Sequence, residues 1–474
     1  MVVGAWRWVL LALVVQTRAT VSAEDSGSVV RLGVNRVQRN KRELIIDTGS
    51  GKTAFICDGC SGCGHRHEHK PFHPTNATKF VSCDRFHPGD PELGGCMECV
   101  GAKCRYGQKY VEGDYWEAFK MSDHMSFSSP DKSSADRLEA SVEFGCIYAQ
   151  TGCFNQQTSD GIMGFSRHPD AIYEQFYRQG ATASRLFAQC LASDGGALTI
   201  GGVDMQLNRG PIAYTPLRDT GYQYWTVHLE SISVGTVPLV VDSTVYNADR
   251  GCVLDSGTTF VYLPTATKSA FVAAWRQARG GSEEDAPLSD SYHRVDDSSL
   301  PFLPPICFHF ANQATLCMGA DMYLYKLASG EYAGTIFFGD QAKSTIVGAS
   351  ALMHHNIIYD VDNNRVGMAE ANCDAEMAAL SSEIAAEKMI ALELHPGGDT
   401  FRVSTVLDPA HWSQIALASV AMIAMVGLVV TVWEETRRCE EEVLSAEPVE
   451  RGTKREIHED DEAEFAFYLM PDDE

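Results

Sequence analysis

Two stretches decide the reading of this chain: Leu44-Ile45-Ile46-Asp47-Thr48-Gly49-Ser50 and Cys252-Val253-Leu254-Asp255-Ser256-Gly257-Thr258-Thr259. In each, a short apolar run leads into Asp-Thr/Ser-Gly-Ser/Thr. A continuous β-type run bounded by turn residues predicts a strand buried on both faces. The glycine then turns the chain sharply and leaves the aspartate at the strand end. One Asp-x-Gly would be an ordinary turn. Two copies, 208 residues apart, predict two similar lobes that each offer one carboxylate.

Two carboxylates at one site do not both ionise cheaply. One keeps a proton, so the pair holds an acid and a base at the same pH. The two apparent pKa values then belong to the pair. Such a dyad can hold a water, take its proton and protonate a carbonyl oxygen, which is peptide hydrolysis without a covalent intermediate.

At these residues the chain resembles the pepsin (A1) family of aspartic proteases. Further segments carry the likeness. Asp160-Gly161-Ile162-Met163-Gly164-Phe165 and Thr345-Ile346-Val347-Gly348-Ala349 resemble the paired segments that cross behind the two active-site loops. Ile357-Ile358-Tyr359-Asp360 with Asn363-Asn364-Arg365-Val366-Gly367 resembles the closing hairpin, and Tyr110-Val111-Glu112-Gly113 the flap tip. The resemblance implies an all-β, bilobal fold and an endopeptidase. Asp47 and Asp255 would activate water, and Ser50 and Thr258 would bond the outer carboxylate oxygens. Thr48 and Ser256 would link the loops at their base, Gly49 and Gly257 would supply backbone groups, and Tyr110 would close over the substrate. No metal or organic cofactor is implied. Ala54, seven residues past Asp47, stands where pepsin often has Trp, so the usual bond to the flap tyrosine has no visible donor. Glu112 could pair with a basic substrate residue, and Gln157 could share that pocket.

Residues 57–104 form a cysteine-dense insert with Cys57, Cys60, Cys63, Cys83, Cys96, Cys99 and Cys104. Cys57-x-x-Cys60-x-x-Cys63-Gly64-His65-Arg66-His67-Glu68-His69 could by itself ligate zinc. In a secreted chain the preferred reading is bridged cysteines and exposed histidines. Seven is odd, so one insert cysteine should pair outside. The remaining disulfide candidates are Cys146, Cys153, Cys190, Cys252, Cys307, Cys317 and Cys373, with Cys307 and Cys317 able to close a loop. The insert, the flap Tyr-x-Glu-Gly and Gly195-Gly196-Ala197-Leu198-Thr199-Ile200-Gly201-Gly202 resemble the plasmepsin V and nepenthesin-like branch most. That likeness implies a luminal protease with a C-terminal anchor and, by analogy, cargo with an Arg-x-Leu-type motif. Asn76-Ala77-Thr78 is a glycosylation sequon.

The 474 residues suffice for two to three domains, and an apolar share of 45% supports large cores. Net charge is −25, and residues 434–474 carry sixteen acidic against five basic side chains. An acidic chain argues against nucleic acid as a partner. Met1–Ala23 reads as a signal peptide. Residues 412–433 carry no charge, have a Trp at each end and precede Arg437-Arg438. That pattern predicts a transmembrane helix with a cytosolic C-terminus. Fourteen of fifteen cysteines precede it, which fits up to seven luminal bridges. The predicted organisation is an N-terminal lobe at 24–210, a C-terminal lobe at 211–373, a helical stalk at 374–411, and an acidic tail at 434–474. No pro-segment is visible between Ala23 and Asp47. Helices are expected near Ala171–Arg178 and Ala266–Arg279 only, and Tyr106–Phe127 should form a hairpin bent at Tyr110–Asp114. Tyr224–Leu229 and Ser231–Gly235 should form a second hairpin.

The function expected is a membrane-anchored, monomeric aspartic endopeptidase acting on polypeptides of the secretory pathway. The competing expectation is a catalytically silent binding module on the same fold. Such modules usually lose an Asp or a flanking Gly, and here both motifs are intact.

Overall fold

The structure is a computed structural model. It describes residues 30–32 and 44–373, apart from 65, 68, 84–95, 111–114, 128–137, 157–158, 193–194, 280–285, 290, 328 and 340–343. The expected signal peptide, stalk, membrane segment and tail lie outside the described residues. Among those described, no helix is long and apolar enough to cross a membrane.

The fold is mostly β. Leu44–Asp47 is buried at every position and pairs in parallel with Gly161–Gly164, bringing Asp47 opposite Gly164. Cys252–Asp255 repeats this against Thr345–Gly348, with Asp255 opposite Gly348. Parallel strands need a long crossover between them, and the first lobe fits its flap and insert into that crossover. Gly164 and Gly348 are required by close approach. A Cβ at Gly164 would strike the backbone of Gly51 and Lys52, and one at Gly348 the carbonyls of Phe260 and Thr258.

Leu44–Asp47 belongs to an eight-stranded sheet that includes the flap hairpin. Cys252–Asp255 belongs to a five-stranded sheet. A six-stranded antiparallel sheet runs Val30–Leu32, Gly195–Ile200, Leu186–Ala192, His355–Asp360, Arg365–Glu370, Ala213–Pro216. It draws strands from both halves, so its ladder ties them together. Val30–Leu32 supplies its edge strand. Among the described residues the two longest helices are Ile172–Arg178 and Lys268–Arg279, near the expected positions, and the four-residue helices Ser243–Tyr246, Ala320–Tyr323 and Ala349–Leu352 correct the expectation of those two alone.

Lys103–Lys109 and Tyr115–Phe127 form the expected flap hairpin, with Lys109 opposite Tyr115. The second expected hairpin does not form. Thr226–Val227 pairs with Cys252–Asp255, whereas Leu229–Val234 pairs with Val237–Pro238 and Ile306–Phe310. One residue between the first two runs leaves no room for a turn. Gly235-Thr236 does turn the chain, with Gly235 at φ +56°, as a two-residue loop requires.

Six disulfides occur among the described residues: Cys57–Cys146, Cys60–Cys63, Cys83–Cys99, Cys96–Cys104, Cys190–Cys373 and Cys307–Cys317. Cys57 is the insert cysteine that pairs outside. Cys252 corrects the sequence reading, because it is buried and unbridged. It packs inside the strand that ends in Asp255, in the core cluster, and burial pushes its thiol well up. The side chain of Cys153 lies outside the described residues.

Candidate active site

The two aspartates meet at the junction of the two halves. Each stands at the end of a buried strand and each is only 4% exposed. Their surroundings match. The Gly49 N–H donates to Asp47 Oδ1 at 2.8 Å, and the Ser50 hydroxyl donates to Asp47 Oδ2. The Gly257 N–H donates to Asp255 Oδ1 at 2.9 Å, and Thr258 Oγ1 donates to Asp255 Oδ2 at 2.6 Å. Each glycine also faces the opposite acid. A Cβ on Gly49 would collide with the Asp255 carboxyl, and one on Gly257 with the Asp47 carboxyl. Only glycine lets the two loops approach this closely.

Below the carboxyls the loops are clasped reciprocally. Thr48 Oγ1 donates to Leu254 O at 3.1 Å and accepts from the Ser256 N–H at 2.9 Å. Ser256 Oγ donates to Ile46 O at 2.7 Å and accepts from the Thr48 N–H at 3.2 Å. These bonds are buried, so each also avoids the cost of an unpaired polar group.

This environment splits the acids. Burial first, then the neighbouring Asp255 charge, pushes Asp47 up to about 7, against the bonds from Ser50 and Gly49. Burial also raises Asp255, opposed by Thr258 and Gly257. A hydrogen bond between the two carboxyls raises Asp47 and lowers Asp255. Both carboxyls are thus held above the ordinary range, and one proton is shared between them, its titration belonging to the pair.

Tyr110 is buried beside the bend of the flap hairpin. Its hydroxyl accepts from Trp116 Nε1 at 3.2 Å, and its ring lies 5.1 Å from Phe154. Trp116 thus supplies the donor that Ala54 lacks. The hairpin register places Trp116 opposite Gln108, next to the Lys109–Tyr115 pair, so counting back from the bend at Tyr110–Asp114 could have found it. Behind Trp116 and Phe154 lies a recess also lined by Ile56, His67, Gln150 and Ile162. Sequence reasoning passes over Tyr224 as well. It sits two residues before Thr226, which pairs with Val253, so the register carries it towards Asp255. Burial pushes its hydroxyl well up, against Arg250, with the charges of Asp255 and Asp47 adding to the rise. Glu112, Gly113 and Gln157 lie outside the described residues.

The insert reading needs one correction. His67 and His69 are half-buried rather than exposed. His69 Nδ1 lies 2.8 Å from Asp160 Oδ2, and its N–H donates to Asp160 Oδ1 at 2.9 Å. His67 Nδ1 lies 2.6 Å from Ser159 O. The histidines fasten the insert to the residues that open the strand Gly161–Gly164. Asn76 is exposed, in a bend.

A two-lobed β fold with a buried, proton-sharing aspartate pair between clasped loops defines an acid–base hydrolase of the two-aspartate class. The family description "Eukaryotic aspartyl protease" matches residues 135–371, half of the chain, and "Xylanase inhibitor N-terminal" matches residues 30–202. The chain belongs to the eukaryotic aspartyl protease family, and it is an aspartic endopeptidase. It is 25% identical over 363 residues to an aspartyl protease family protein of Arabidopsis thaliana, covering 73% of this chain and 72% of that one. It is 24% identical to aspartic protease 5 of Toxoplasma gondii over 70% of this chain and 35% of the relative. With plasmepsin V of Plasmodium falciparum the identity is 31%, over 34% of this chain and 27% of the relative.

Proposed function

We propose that Asp47 and Asp255 are the catalytic pair of a membrane-anchored endopeptidase of the secretory pathway. The observation that carries the catalytic part is the matched bonding of the two buried carboxyls. Water sits between them. Charged Asp255 takes its proton as the oxygen attacks the scissile carbonyl carbon, while Asp47 gives its own proton to the carbonyl oxygen. The resulting tetrahedral diol collapses when Asp255 returns a proton to the amide nitrogen and Asp47 regains one from the diol, breaking the C–N bond. Ser50, Thr258 and the two glycine N–H groups hold the outer oxygens still, and Thr48 with Ser256 keeps the loops in register. Tyr110 closes over the peptide and excludes water.

The anchoring rests on residues 412–433, an uncharged run long enough to span a bilayer and followed by Arg437-Arg438. Met1–Ala23 and the six disulfides support entry into an oxidising compartment. A tethered enzyme suits limited cleavage of passing cargo, and Glu112 on the flap suits a substrate with a basic residue, of the Arg-x-Leu type. We take the enzyme as monomeric, with Asn76 as its glycosylation site.

The test is cleavage-site profiling of the full-length protein in detergent with a peptide library from about pH 4 to 7.5, spanning the titration of such a pair. Cleavage should vanish in Asp47→Asn and in Asp255→Asn. Preference for a basic residue should weaken in Glu112→Ala while apolar preferences stay. An unchanged preference in Glu112→Ala refutes the basic pocket, and unabated cleavage without Asp47 refutes the dyad.

A further inference from the structure

The strand Cys252–Asp255 carries the Asp255 carboxyl on one face, and that face continues well past it. Asp255 and Val253 lie two apart on an extended strand, so their side chains point the same way. Val253 pairs with Thr226 and packs with Tyr224, Tyr222 and Ile346. Further back, the Cβ position of Gly251 meets the methyl of Thr226, so Gly251 also lies on this side. Beyond its burial, the Tyr224 hydroxyl feels Arg250 as well as Asp255 and Asp47. The face therefore runs from the acids, past Tyr224, to a basic end at Gly251.

Arg218 closes that end. Its N–H donates to Thr226 O at 2.8 Å. Its Nη1 lies 3.8 Å from the Cβ position of Gly251, with a methyl carbon of Thr220 3.9 Å from the same point. Nη1 and the Thr220 hydroxyl are buried without a hydrogen-bond partner, and among the described residues no ion pair engages the Arg218 guanidinium. Asp219, next in the chain, is exposed and accepts from the Gly221 N–H at 3.1 Å. Arg250 adds a second positive charge. Its guanidinium carbon stands 5.2 Å from the centre of the Tyr222 ring and its Nε 3.8 Å from Asp249 Oδ2. A guanidinium is planar, so with Nη1 turned against Gly251 the opposite edge, Nε and Nη2, points away from it. That edge is the fork that takes both oxygens of a carboxylate. Half-burying a cation with no anion beside it costs hydration that a bound carboxylate restores.

We propose that Arg218, reinforced by Arg250, binds a carboxylate of the peptide substrate at the far end of the Asp255 face. This rests on the catalytic reading of Asp47 and Asp255. Gly251 precedes Asp255 by four residues, about 13 Å of extended strand. An extended peptide climbs at the same rate, so the carboxylate lies roughly three to four residues from the bond that is cut. An Asp or Glu side chain supplies it, or the free C-terminus of a short peptide. The site is separate from the pocket proposed around Glu112. One reads a base and the other an acid, so substrates carrying both charges, spaced apart, gain most.

The experiment uses the full-length protein and decapeptides that share one cleaved core. Positions out to about four residues on each side of the scissile bond carry Glu or Gln in turn, with the C-terminus free or amidated. kcat/KM is measured for every peptide, and Kd for reduced-amide versions that cannot be cut. Wild type should favour the carboxylate over the amide by about tenfold at one place, roughly three or four residues from the scissile bond, the worth of a charge-assisted fork. Preference for a Glu side chain assigns an acidic residue, and preference that disappears on C-terminal amidation assigns the chain end. Either supports the site. Arg218→Met should bring the ratio to within about twofold of one, and Arg218→Lys, which lacks the fork, should keep only part of it. If Arg218→Met does not fold, a fall of the ratio by at least about threefold in Arg218→Lys is the expected result. Ratios within about twofold of one at every position in wild type overturn the proposal. So does a preference that the folded Arg218 variants leave intact. A wild type that binds the acidic peptides more tightly but cuts none of them refutes the catalytic reading and not this site, so the two failures are distinct.

Discussion

Replacing Asp47 with Asn should make the protein inactive and, near neutral pH, more stable. The Asp47 carboxyl goes from an ordinary 3.8 to about 7 in the folded state, mainly through burial and then through Asp255. The folded protein therefore keeps a proton that the unfolded chain releases as pH rises past about 4. Where the folded state binds more protons than the unfolded one, stability falls with rising pH. The contribution is fully present below about pH 4 and lost as pH climbs through about 7. A difference of about three between the folded and unfolded values corresponds to roughly 4 kcal/mol once both states are ionised. The amide of the Asp47→Asn variant has no proton to release. The stability difference, variant minus wild type, should be nearly constant below about pH 4, climb through the window from about 4 to 7, and level off roughly 4 kcal/mol higher. A fixed offset for altered bonds to Ser50 and Gly49 moves the whole curve without changing its slope. Urea unfolding followed by tryptophan fluorescence, at steps of about one from pH 4 to 8, reads it directly. A difference that is flat across the window would refute the reasoning.

Trp116→Phe removes the donor to Tyr110 and should lower kcat/KM about tenfold with a stability cost of about 1 to 2 kcal/mol, measured by steady-state kinetics and thermal melting. Gly257→Ala drives a methyl group into the Asp47 carboxyl, so turnover should fall by at least about a hundredfold because reacting groups are displaced. Chemical denaturation of Cys190→Ala/Cys373→Ala should show a loss of about 4 to 5 kcal/mol, since that bridge spans 183 residues and longer loops constrain the unfolded chain more. Cys252→Ala, by contrast, removes a buried thiol without breaking any bridge, and its melting point should move far less than that of the double variant.

The dyad is legible in the sequence because its signal is local and doubled. Four consecutive residues set strand end, turn and hydroxyl donor at once, and the second copy supplies the partner. The crossing segments at Gly164 and Gly348 are legible for the same reason. What stays hidden depends on register and on distance along the chain. The Trp116–Tyr110 bond joins two arms of one hairpin, so it shows only when register is counted across the bend and not in any propensity. An even cysteine count suggests a mate for Cys252, but its strand buries it away from the others. The histidines of the insert look solvent-facing in sequence because their acceptors, Ser159 and Asp160, lie about ninety residues downstream. Lys52 and Lys120 look like ordinary surface charges in sequence, yet the fold leaves them only 3% and 2% exposed.

The shared proton between the two aspartates is tested most directly by the pH profile of kcat/KM for the wild type beside the two single Asn variants on one peptide. The expected result is a bell with its basic limb near about pH 7, set by loss of the proton that the pair shares, and a fall of at least about 10⁴ in either variant. Activity within about tenfold of wild type in Asp47→Asn or Asp255→Asn, at any pH, would contradict it.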